Sequence, residues 1–235
     1  MAEGNRLLQI QDLTAWYDPG RPVLSGLSLE LGEREAVGLI GLNGAGKTTL
    51  MSLLSGLHEG FTMAGIKAKE NPFRHKDFKR RRYTVFAQDN SFSYFTFREY
   101  LAYVFDAYGK KAPDFTELLE GFHFEAYADR LMGELSMGNR KKAFLITAFA
   151  LKPELLLLDE PVNGLDFEST EYLYELIRGY RAYGTLFFSS HIVESITRTC
   201  DRVLVLNQGQ IREFSGQTDA EQLRRALEQE RGAKR

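Results

Sequence analysis

Hydrophobic residues alternate with polar ones near the N-terminus of the chain. Leu8 and Ile10 begin this alternation, and Leu27, Leu29 and Leu31 repeat it further along. A spacing of two residues is typical of strands that bury one face. The first part of the chain is therefore predicted to form an antiparallel β layer.

Four later runs are apolar without alternation, at residues 36–40, 85–87, 155–158 and 186–188. Each has the length of a strand that is buried on both faces, as in a parallel sheet covered by helices. Two more segments, at 202–206 and 211–214, flank an Asn-Gln-Gly-Gln turn and predict a hairpin. Together the patterns predict the α/β class, with a parallel core beside the antiparallel layer.

The pattern becomes helical after the second of these buried runs, and a charged helix is predicted over 219–231. We expect the middle of the chain to be a helical subdomain inserted into the core. The predicted units are a domain of residues 7–227 and a C-terminal charged helix and tail of residues 217–235. Within the domain, the core is expected at 7–88 and 140–216, and the helical subdomain at about 89–139.

The start of this helical segment is rich in aromatic residues. Eight of them fall within positions 92–108. Because one helix face does not normally bury so many rings, we expect several to form an exposed apolar groove. Phe92, Tyr94 and Phe95 are the residues predicted to line it.

Composition narrows the class of protein. The 235 residues include 30 Lys plus Arg and 32 Asp plus Glu, so no overall positive field favours nucleic acid as a partner. The single cysteine, Cys200, excludes an internal disulfide and a cysteine-rich zinc site. No stretch approaches the roughly 18 consecutive apolar residues that span a bilayer, so a membrane role is expected to be peripheral. The basic run at 79–82 is expected to be the solvated end of a helix.

The sequence Gly-Leu-Asn-Gly-Ala-Gly-Lys-Thr-Thr at 41–49 fits the phosphate-binding loop, or P-loop. It follows a predicted buried strand and precedes a helix, which is the context that the motif requires. Glycines let backbone N–H groups converge on phosphate oxygens, and the helix N-terminus adds positive partial charge. Lys47 would contact the β- and γ-phosphates of ATP, and Thr48 would bind Mg²⁺. The residues predicted to contact nucleotide here are Asn43, Gly44, Ala45, Gly46, Lys47, Thr48 and Thr49.

Two acidic residues, Asp159 and Glu160, follow the leucine run at 155–158. The carboxyl ends of strands in an open α/β sheet are where ligands bind. Asp159 is expected to hold Mg²⁺ through water, and Glu160 to polarise an attacking water as general base. Adjacent acids after an apolar strand carry little weight alone, but with the P-loop they indicate nucleotide hydrolysis.

These motifs, in this order, resemble those of the ATP-binding subunits of ABC transporters, over about residues 8–216. Gln88 resembles the family's Q-loop glutamine, and Leu-Ser-Met-Gly-Asn at 135–139 resembles its signature motif. Asn-Gly-Leu-Asp at 163–166 resembles the D-loop, and His191 the switch histidine. Tyr17 stands where the family's adenine-stacking aromatic would be, with Trp16 as the alternative.

The resemblance implies a P-loop NTPase fold with a RecA-like core, and a head-to-tail dimer, homomeric or heteromeric. Two ATP molecules would lie between the P-loop of one subunit and the signature motif of the other. The residues implied in catalysis are Lys47, Gln88, Glu160 and His191; those around Mg²⁺ are Thr48, Gln88 and Asp159. Those added to the nucleotide contacts are Tyr17, Ser136, Gly138 and Asp166.

Ser136 is expected to begin a helix that runs through Leu151, so that its hydroxyl, the Gly138 N–H and the helix dipole can meet a γ-phosphate from the facing subunit. The signature departs from the family's commonest form at Met137 and Asn139, where glycine and glutamine are more usual. Because Ser136 and Gly138 are retained, we expect activity, at a reduced level.

The resemblance implies a motor subunit at the cytoplasmic face of the membrane, held there by a separate integral membrane permease subunit. Export is favoured over import, and the aromatic groove is expected to receive a short cytoplasmic helix of the permease. A soluble ABC-type ATPase with a non-transport role is the alternative. A P-loop kinase is a third possibility, but it leaves Ser136, Asp166 and His191 unexplained.

Overall fold

A computed structural model describes residues 6–68 and 76–214, together with residues 220, 221, 223–225 and 227. The strands are β1 (Arg6–Asp18), β2 (Arg21–Gly32), β3 (Ala36–Ile40), β4 (Phe61–Thr62), β5 (Gly65–Ala68), β6 (Arg82–Val85), β7 (Leu155–Asp159), β8 (Thr185–Ser190), β9 (Arg202–Asn207) and β10 (Gln210–Phe214). The helices are α1 (Lys47–Leu54), α2 (Lys76–Arg81), α3 (Phe97–Ala107), α4 (Thr116–Gly121), α5 (Met137–Leu151), α6 (Phe167–Gly179) and α7 (Val193–Thr197).

The N-terminal sheet is antiparallel, as the alternation predicts. β1 pairs with β2, and Leu8 and Ile10 lie opposite Leu31 and Leu29. On its other edge β1 pairs with β4 and β5. A register shift at Asp12, whose φ is 52°, inserts an extra residue and changes the phase of the alternation. Ile10 before the shift and Leu13 after it are therefore both buried.

The second sheet has the strand order β10-β9-β3-β8-β7-β6. β3 is parallel to β8 and β9, and β7 is parallel to β8 and β6, while β9 and β10 form the predicted hairpin. Every residue of β3, β7 and β8 is buried, which explains why these runs are apolar without alternation. The predicted parallel core is thus confirmed. Its parallel strands end at one edge, where the candidate site residues follow.

The helical segment packs on the core through α5. The buried aromatic rings of Phe97, Phe122 and Phe124 belong to the same apolar cluster as Phe144 of α5 and the strands of the core sheet. α5 runs unbroken from Met137 to Leu151, so the predicted domain boundary at 139/140 falls inside its first turn. The division into core and helical subdomain stays a prediction, and α5 belongs to both.

Two smaller expectations differ from the structure. Arg82 begins β6 and is only 4% exposed, so the basic run is not wholly solvated, and burial lowers the pKa of this guanidinium. Of the helix predicted over 219–231, six positions are described and are helical, and Leu223 and Leu227 pack into the core. The rest of that helix and the tail to residue 235 lie outside the described residues. Among the described helices, none has the length and apolar character needed to span a membrane.

Candidate functional site

The P-loop turns sharply between β3 and α1. Gly44 and Gly46 have φ values of 79° and 106°, in the left-handed region that favours glycine. A Cβ on Gly46 would also lie 2.7 Å from Leu24 Cδ2. The loop therefore needs glycine at this position, and α1 begins directly after it at Lys47. This arrangement directs the first N–H groups of α1 toward the loop.

A cavity of about 370 Å³ lies over the loop. Its lining residues are Tyr17, Val23, Asn43, Gly44, Gly46, Lys47, Thr48, Thr49 and Glu160. The predicted contact Ala45 is not among them, and its side chain is buried. The structure thus gathers most of the predicted nucleotide contacts around one cavity, and adds Val23.

Lys47 is 7% exposed, and its ammonium is surrounded by oxygen atoms. Nζ donates to the carbonyl oxygens of Gly41 at 2.8 Å and Leu42 at 3.4 Å, and lies 3.3 Å from Glu160 Oε1. A buried ion pair is favourable when additional hydrogen bonds satisfy its remaining donors, as the two carbonyls do here. These contacts hold the lysine in place, and it lines the cavity.

The Glu160 carboxylate lies between Lys47 and His191. Oε2 accepts a hydrogen bond from the His191 backbone N–H at 3.3 Å and lies 2.8 Å from His191 Nδ1. A proton on Nδ1 makes this second contact a hydrogen bond. Glu160 itself has a φ of 47°, and its backbone N–H donates to Ser189 O at 3.1 Å. Three of the four residues predicted to act in catalysis thus form one cluster.

Asp159 is fully buried beside Thr48. Thr48 Oγ1 donates to Asp159 Oδ2 at 2.9 Å, and Ser189 Oγ donates to Oδ1 at 2.6 Å. Hydroxyl and carboxylate oxygens are ligands that Mg²⁺ accepts, and Mg²⁺ is commonly held by one or two protein groups together with substrate phosphates. Among the described residues, no group of three or more His, Cys, Asp or Glu side chains could hold a metal. Asp159 and Thr48 fit Mg²⁺ in this way.

Tyr17 stands at the mouth of the cavity with its side chain 64% exposed. Its hydroxyl is 3.4 Å from Thr49 Oγ1, and its ring meets the His58 ring edge-on at a centroid distance of 4.9 Å. Trp16, the alternative platform, is half-buried, and its carbonyl faces His58 Nε2 at 3.0 Å. The structure therefore places Tyr17 rather than Trp16 at the cavity.

Two supporting residues, Ser189 and His58, escaped the sequence reasoning. Ser189 fixes both Asp159 and Glu160, and a signal was present, since it is the first polar residue after the apolar run of β8. His58 holds the backbone next to Tyr17, and no motif marks it.

Gln88 does not join this cluster. It lines a second cavity, of about 300 Å³, with Met137, Arg140, Lys141 and other residues of α5 and the segment 86–90. β6 ends at Val85, and the carbonyl of the next residue, Phe86, accepts a hydrogen bond from Lys141 of α5. Gln88 is not among the residues that line the P-loop cavity, and its roles in catalysis and around Mg²⁺ stay predictions.

Ser136 caps α5, as predicted, and its Oγ accepts a hydrogen bond from Asn139 N at 3.2 Å. Gly138 follows where the chain makes a close approach, since a Cβ there would lie 2.3 Å from the Gly164 carbonyl oxygen. The signature motif and the D-loop thus touch through their backbones. Neither Ser136 nor Gly138 lines the P-loop cavity of its own chain.

Asp166 caps α6 and pairs with a buried lysine. Its carboxylate accepts hydrogen bonds from Ser169 N at 2.8 Å and Ser169 Oγ at 3.0 Å, and lies 2.6 Å from Lys142 Nζ. Burial alone would raise the pKa of Asp166. The hydrogen bonds from Lys142 and Ser169 outweigh this effect and hold the pKa below its usual range. Within one chain Asp166 therefore ties α6 to α5, and its contact with nucleotide stays a prediction.

The sequence matches the family described as ABC transporter over residues 24–163. AlbC of Bacillus subtilis, named an ABC transporter ATP-binding protein, is 37% identical over 214 residues, which cover 87% of this chain and 90% of AlbC. The methionine import ATP-binding protein MetN of Caulobacter vibrioides is 32% identical, covering 87% of this chain and 65% of MetN. The Nod factor export ATP-binding protein I of Burkholderia orbicola is 35% identical, covering 80% of this chain and 64% of that relative.

Solved structures show the same fold. An ATP-binding subunit of an ABC transporter superposes with a TM-score of 0.81 at 28% identity, covering 94% of each chain. The ATP-binding cassette MJ0796, a dimer in a post-hydrolysis state with ADP and phosphate, superposes with a TM-score of 0.75 at 20% identity, covering 89% of this chain and all of that one.

Proposed function

The chain belongs to the ABC transporter family as an ATP-binding protein, and on that premise we propose that it hydrolyses ATP to power transport through separate membrane subunits. One observation carries the proposal of hydrolysis. The Glu160 carboxylate lies between the Lys47 ammonium and the His191 ring at the edge of the P-loop cavity. A base, a phosphate-binding cation and a histidine are thus close enough to act on one phosphate group.

ATP would bind with its phosphates on the P-loop and its base on the Tyr17 ring. Lys47 would bind the phosphate oxygens, and Thr48 and Asp159 would hold Mg²⁺, which neutralises phosphate charge when bound. Glu160 would accept a proton from the attacking water as the water oxygen bonds to the γ-phosphorus and the bond to the leaving ADP oxygen breaks. His191 would keep the carboxylate of Glu160 oriented through Nδ1.

The second part of the proposal is a head-to-tail dimer. Ser136 and Gly138 stand at the start of α5 but do not line the P-loop cavity of their own chain. A second subunit could present these groups to the γ-phosphate, completing each site. MJ0796, which has the same fold, is a dimer with ADP and phosphate bound.

The third part concerns the membrane subunit. Phe92 packs against Phe95 and Tyr103 with ring centroids 5.5 Å apart in each case, and Phe92 and Phe95 are half-buried. Beside them Tyr94 is 93% exposed. We propose that this aromatic surface, made of Phe92, Tyr94, Phe95 and Tyr103, receives a short helix of the permease.

Export is the direction that we propose. The relatives include proteins named for Nod factor export and for methionine import, at 35% and 32% identity. The preference for export therefore rests on the resemblance of the sequence to exporter ATPases.

Copurification from membranes tests the proposal against a non-transport ATPase. We expect the tagged full-length chain, extracted in detergent, to bring an integral membrane protein with it, and membrane vesicles carrying the pair to move substrate only with ATP. A chain that hydrolyses ATP but is recovered without any membrane protein would favour the soluble alternative.

A further inference from the structure

Lys141 is a buried cation on α5 that the predicted mechanism does not use. It is 4% exposed, and its Nζ donates hydrogen bonds to the carbonyl oxygens of Phe86 at 2.7 Å and Ala87 at 2.9 Å. These two residues directly precede Gln88. The ammonium therefore holds the backbone that carries Gln88 against the helix that Ser136 caps.

We propose that Lys141 is a positioning residue that couples the Gln88 segment, residues 86–90, to the signature helix α5. The inference rests on the proposed function, since it concerns how two parts of the ATPase move together. A shift of Gln88 would be passed to α5 through the two carbonyls, and Ser136 at the start of α5 would shift with it. In the proposed dimer, Gln88 belongs to the site of its own subunit and Ser136 to the site of the other. Lys141 would thus connect the two nucleotide sites.

The hydrogen bonds around Lys141 support a specific rather than a general role. Its neighbours on α5 make different contacts: Arg140 donates to the carbonyl oxygens of Met132, Gly133 and Leu135, and it reaches the Gln88 segment only at the side-chain Oδ1 of Asn90. Lys142 donates to Phe122 O at 2.9 Å and pairs with Asp166. Of these three basic residues, Lys141 alone bonds the backbone next to Gln88.

The charges that face Lys141 come from the nucleotide edge of the sheet. Burial lowers the pKa of Lys141 to about 8, and the carboxylates of Asp159, Asp89 and Glu160 act in the opposite direction. Asp159 and Glu160 belong to β7 and its end, and Asp89 to the Gln88 segment itself. The cation therefore sits in the field of the catalytic carboxylates as well as in contact with the Gln88 segment.

Lys142 provides a matched control. It is 6% exposed and lies next to Lys141 on the same turn of α5, but its partners are Phe122 and Asp166. Replacing either lysine by methionine removes a buried charge and two contacts of its ammonium, with two carbonyls for Lys141 and with one carbonyl and a carboxylate for Lys142. Only Lys141→Met is expected to release the Gln88 segment.

The first test measures amide hydrogen exchange in the full-length chain by mass spectrometry. We expect peptides that contain residues 86–90 to exchange about tenfold faster or more in Lys141→Met, because charge-assisted hydrogen bonds hold that segment closed. In Lys142→Met these peptides should exchange at the wild-type rate. Equal exchange of residues 86–90 in both variants and wild type would overturn the proposal.

The second test is a double-mutant cycle on steady-state ATP hydrolysis. If Lys141 acts through Gln88, Lys141→Met should lower kcat about threefold to tenfold with KM for ATP unchanged, and it should have no further effect in a Gln88→Ala background. Lys141→Arg, which keeps the charge and the donors, should restore most of kcat. Independent, additive losses in the double variant would contradict coupling through Gln88.

The two readouts separate this inference from the proposed function. A wild-type chain without ATPase activity would refute the proposed function, while hydrogen exchange at residues 86–90 would still decide the role of Lys141. If Lys141→Met does not fold, Lys141→Gln replaces it in both tests, with the same expected and contradicting results.

Discussion

The position of the Glu160 carboxylate follows from a backbone conformation that residues other than glycine seldom adopt. Glu160 has a φ of 47°, and its N–H donates to both the carbonyl and the hydroxyl of Ser189. Strained conformations of this kind persist where surrounding contacts hold them, and they are frequent at functional sites. Here the turn places the carboxylate between Lys47 and His191.

Substitutions at Glu160 and Lys47 should separate hydrolysis from binding. Glu160→Gln keeps the shape of the side chain and removes the base, so turnover should fall about 10²-fold to 10⁴-fold while ATP affinity is kept. Lys47→Ala removes a charge that would face the phosphates, so ATP affinity should fall about tenfold or more. Calorimetric binding and phosphate release, measured separately, check both expectations.

Unchanged turnover in Glu160→Gln would remove the general-base assignment. Glu171→Gln serves as control, since it alters an acid outside the cavity and should leave both measurements at their wild-type values.

At the scale of elements, the start of α5 holds the signature motif against the D-loop. It contacts the D-loop at Gly138, where a side chain would meet the Gly164 carbonyl oxygen. Backbone atoms cannot give way as the end of a flexible side chain can. The spacing between α5 and the D-loop therefore depends on the absence of a Cβ at this position.

Gly138→Ala should accordingly lower both stability and turnover. We expect a loss of about 1–3 kcal/mol in the free energy of unfolding, from overpacking, and a reduced kcat as the D-loop shifts. Denaturant titration and steady-state kinetics measure the two effects. Gly179→Ala is the matched control, because no atom lies within 4 Å of the Cβ position at Gly179. The free energy of unfolding of this variant should differ from that of the wild type by no more than about 1 kcal/mol. A Gly138→Ala protein as stable and active as Gly179→Ala would refute the tight contact.

The aromatic surface gives a prediction about coupling. Tyr94→Ser removes the most exposed ring, so it should impair transport or assembly with the permease while ATP affinity stays at the wild-type value. The triple replacement of Phe92, Tyr94 and Phe95 by Ser should have a stronger effect, although it also disturbs rings that pack on Tyr100. Tyr183→Ser, which alters another exposed tyrosine, is the control.

Cosedimentation with permease-containing membranes and vesicle transport measure this coupling. Normal assembly and transport by both variants would show that the aromatic residues serve only to pack the helical segment.

The elements that carry the site could be predicted because each depends on a local pattern. The leucine run of β7, the glycines of the P-loop and Ser136 as a helix cap all follow from residue type and spacing. Contacts between elements could not be predicted in this way. Lys141 and Lys142 are adjacent in sequence, yet they bond carbonyls 55 and 20 residues away. Which carbonyl each reaches is decided by how α5 packs between the helical segment and the core.

Gln88 shows the same limit at the site itself. The resemblance implies a role for Gln88 around Mg²⁺, and only its place in the order of motifs indicates that role. β6 ends at Val85, two residues separate it from Gln88, and Gln88 lines the cavity beside α5 and not the P-loop cavity. The length and direction of that connection are set by tertiary contacts, which the spacing of apolar residues does not encode.

For the whole molecule, the two halves of the proposed ATP site lie apart on one chain. The P-loop cavity contains Lys47 and Glu160, whereas Ser136 stands at the start of α5 and does not line it. If a second subunit supplies Ser136, specific activity should rise steeply with protein concentration or require the permease. A constant specific activity down to concentrations at which the chain is monomeric would contradict this expectation.

Mixing two variants that are each impaired in a different half of the site tests the shared site most directly. In a heterodimer of Lys47→Ala and Ser136→Arg subunits, one composite site carries both changes and the other carries neither. Random mixing in equal amounts should therefore recover ATPase activity, up to about a quarter of the wild-type rate if the sites act independently. An equal mixture that is no more active than the two variants measured alone would contradict the account.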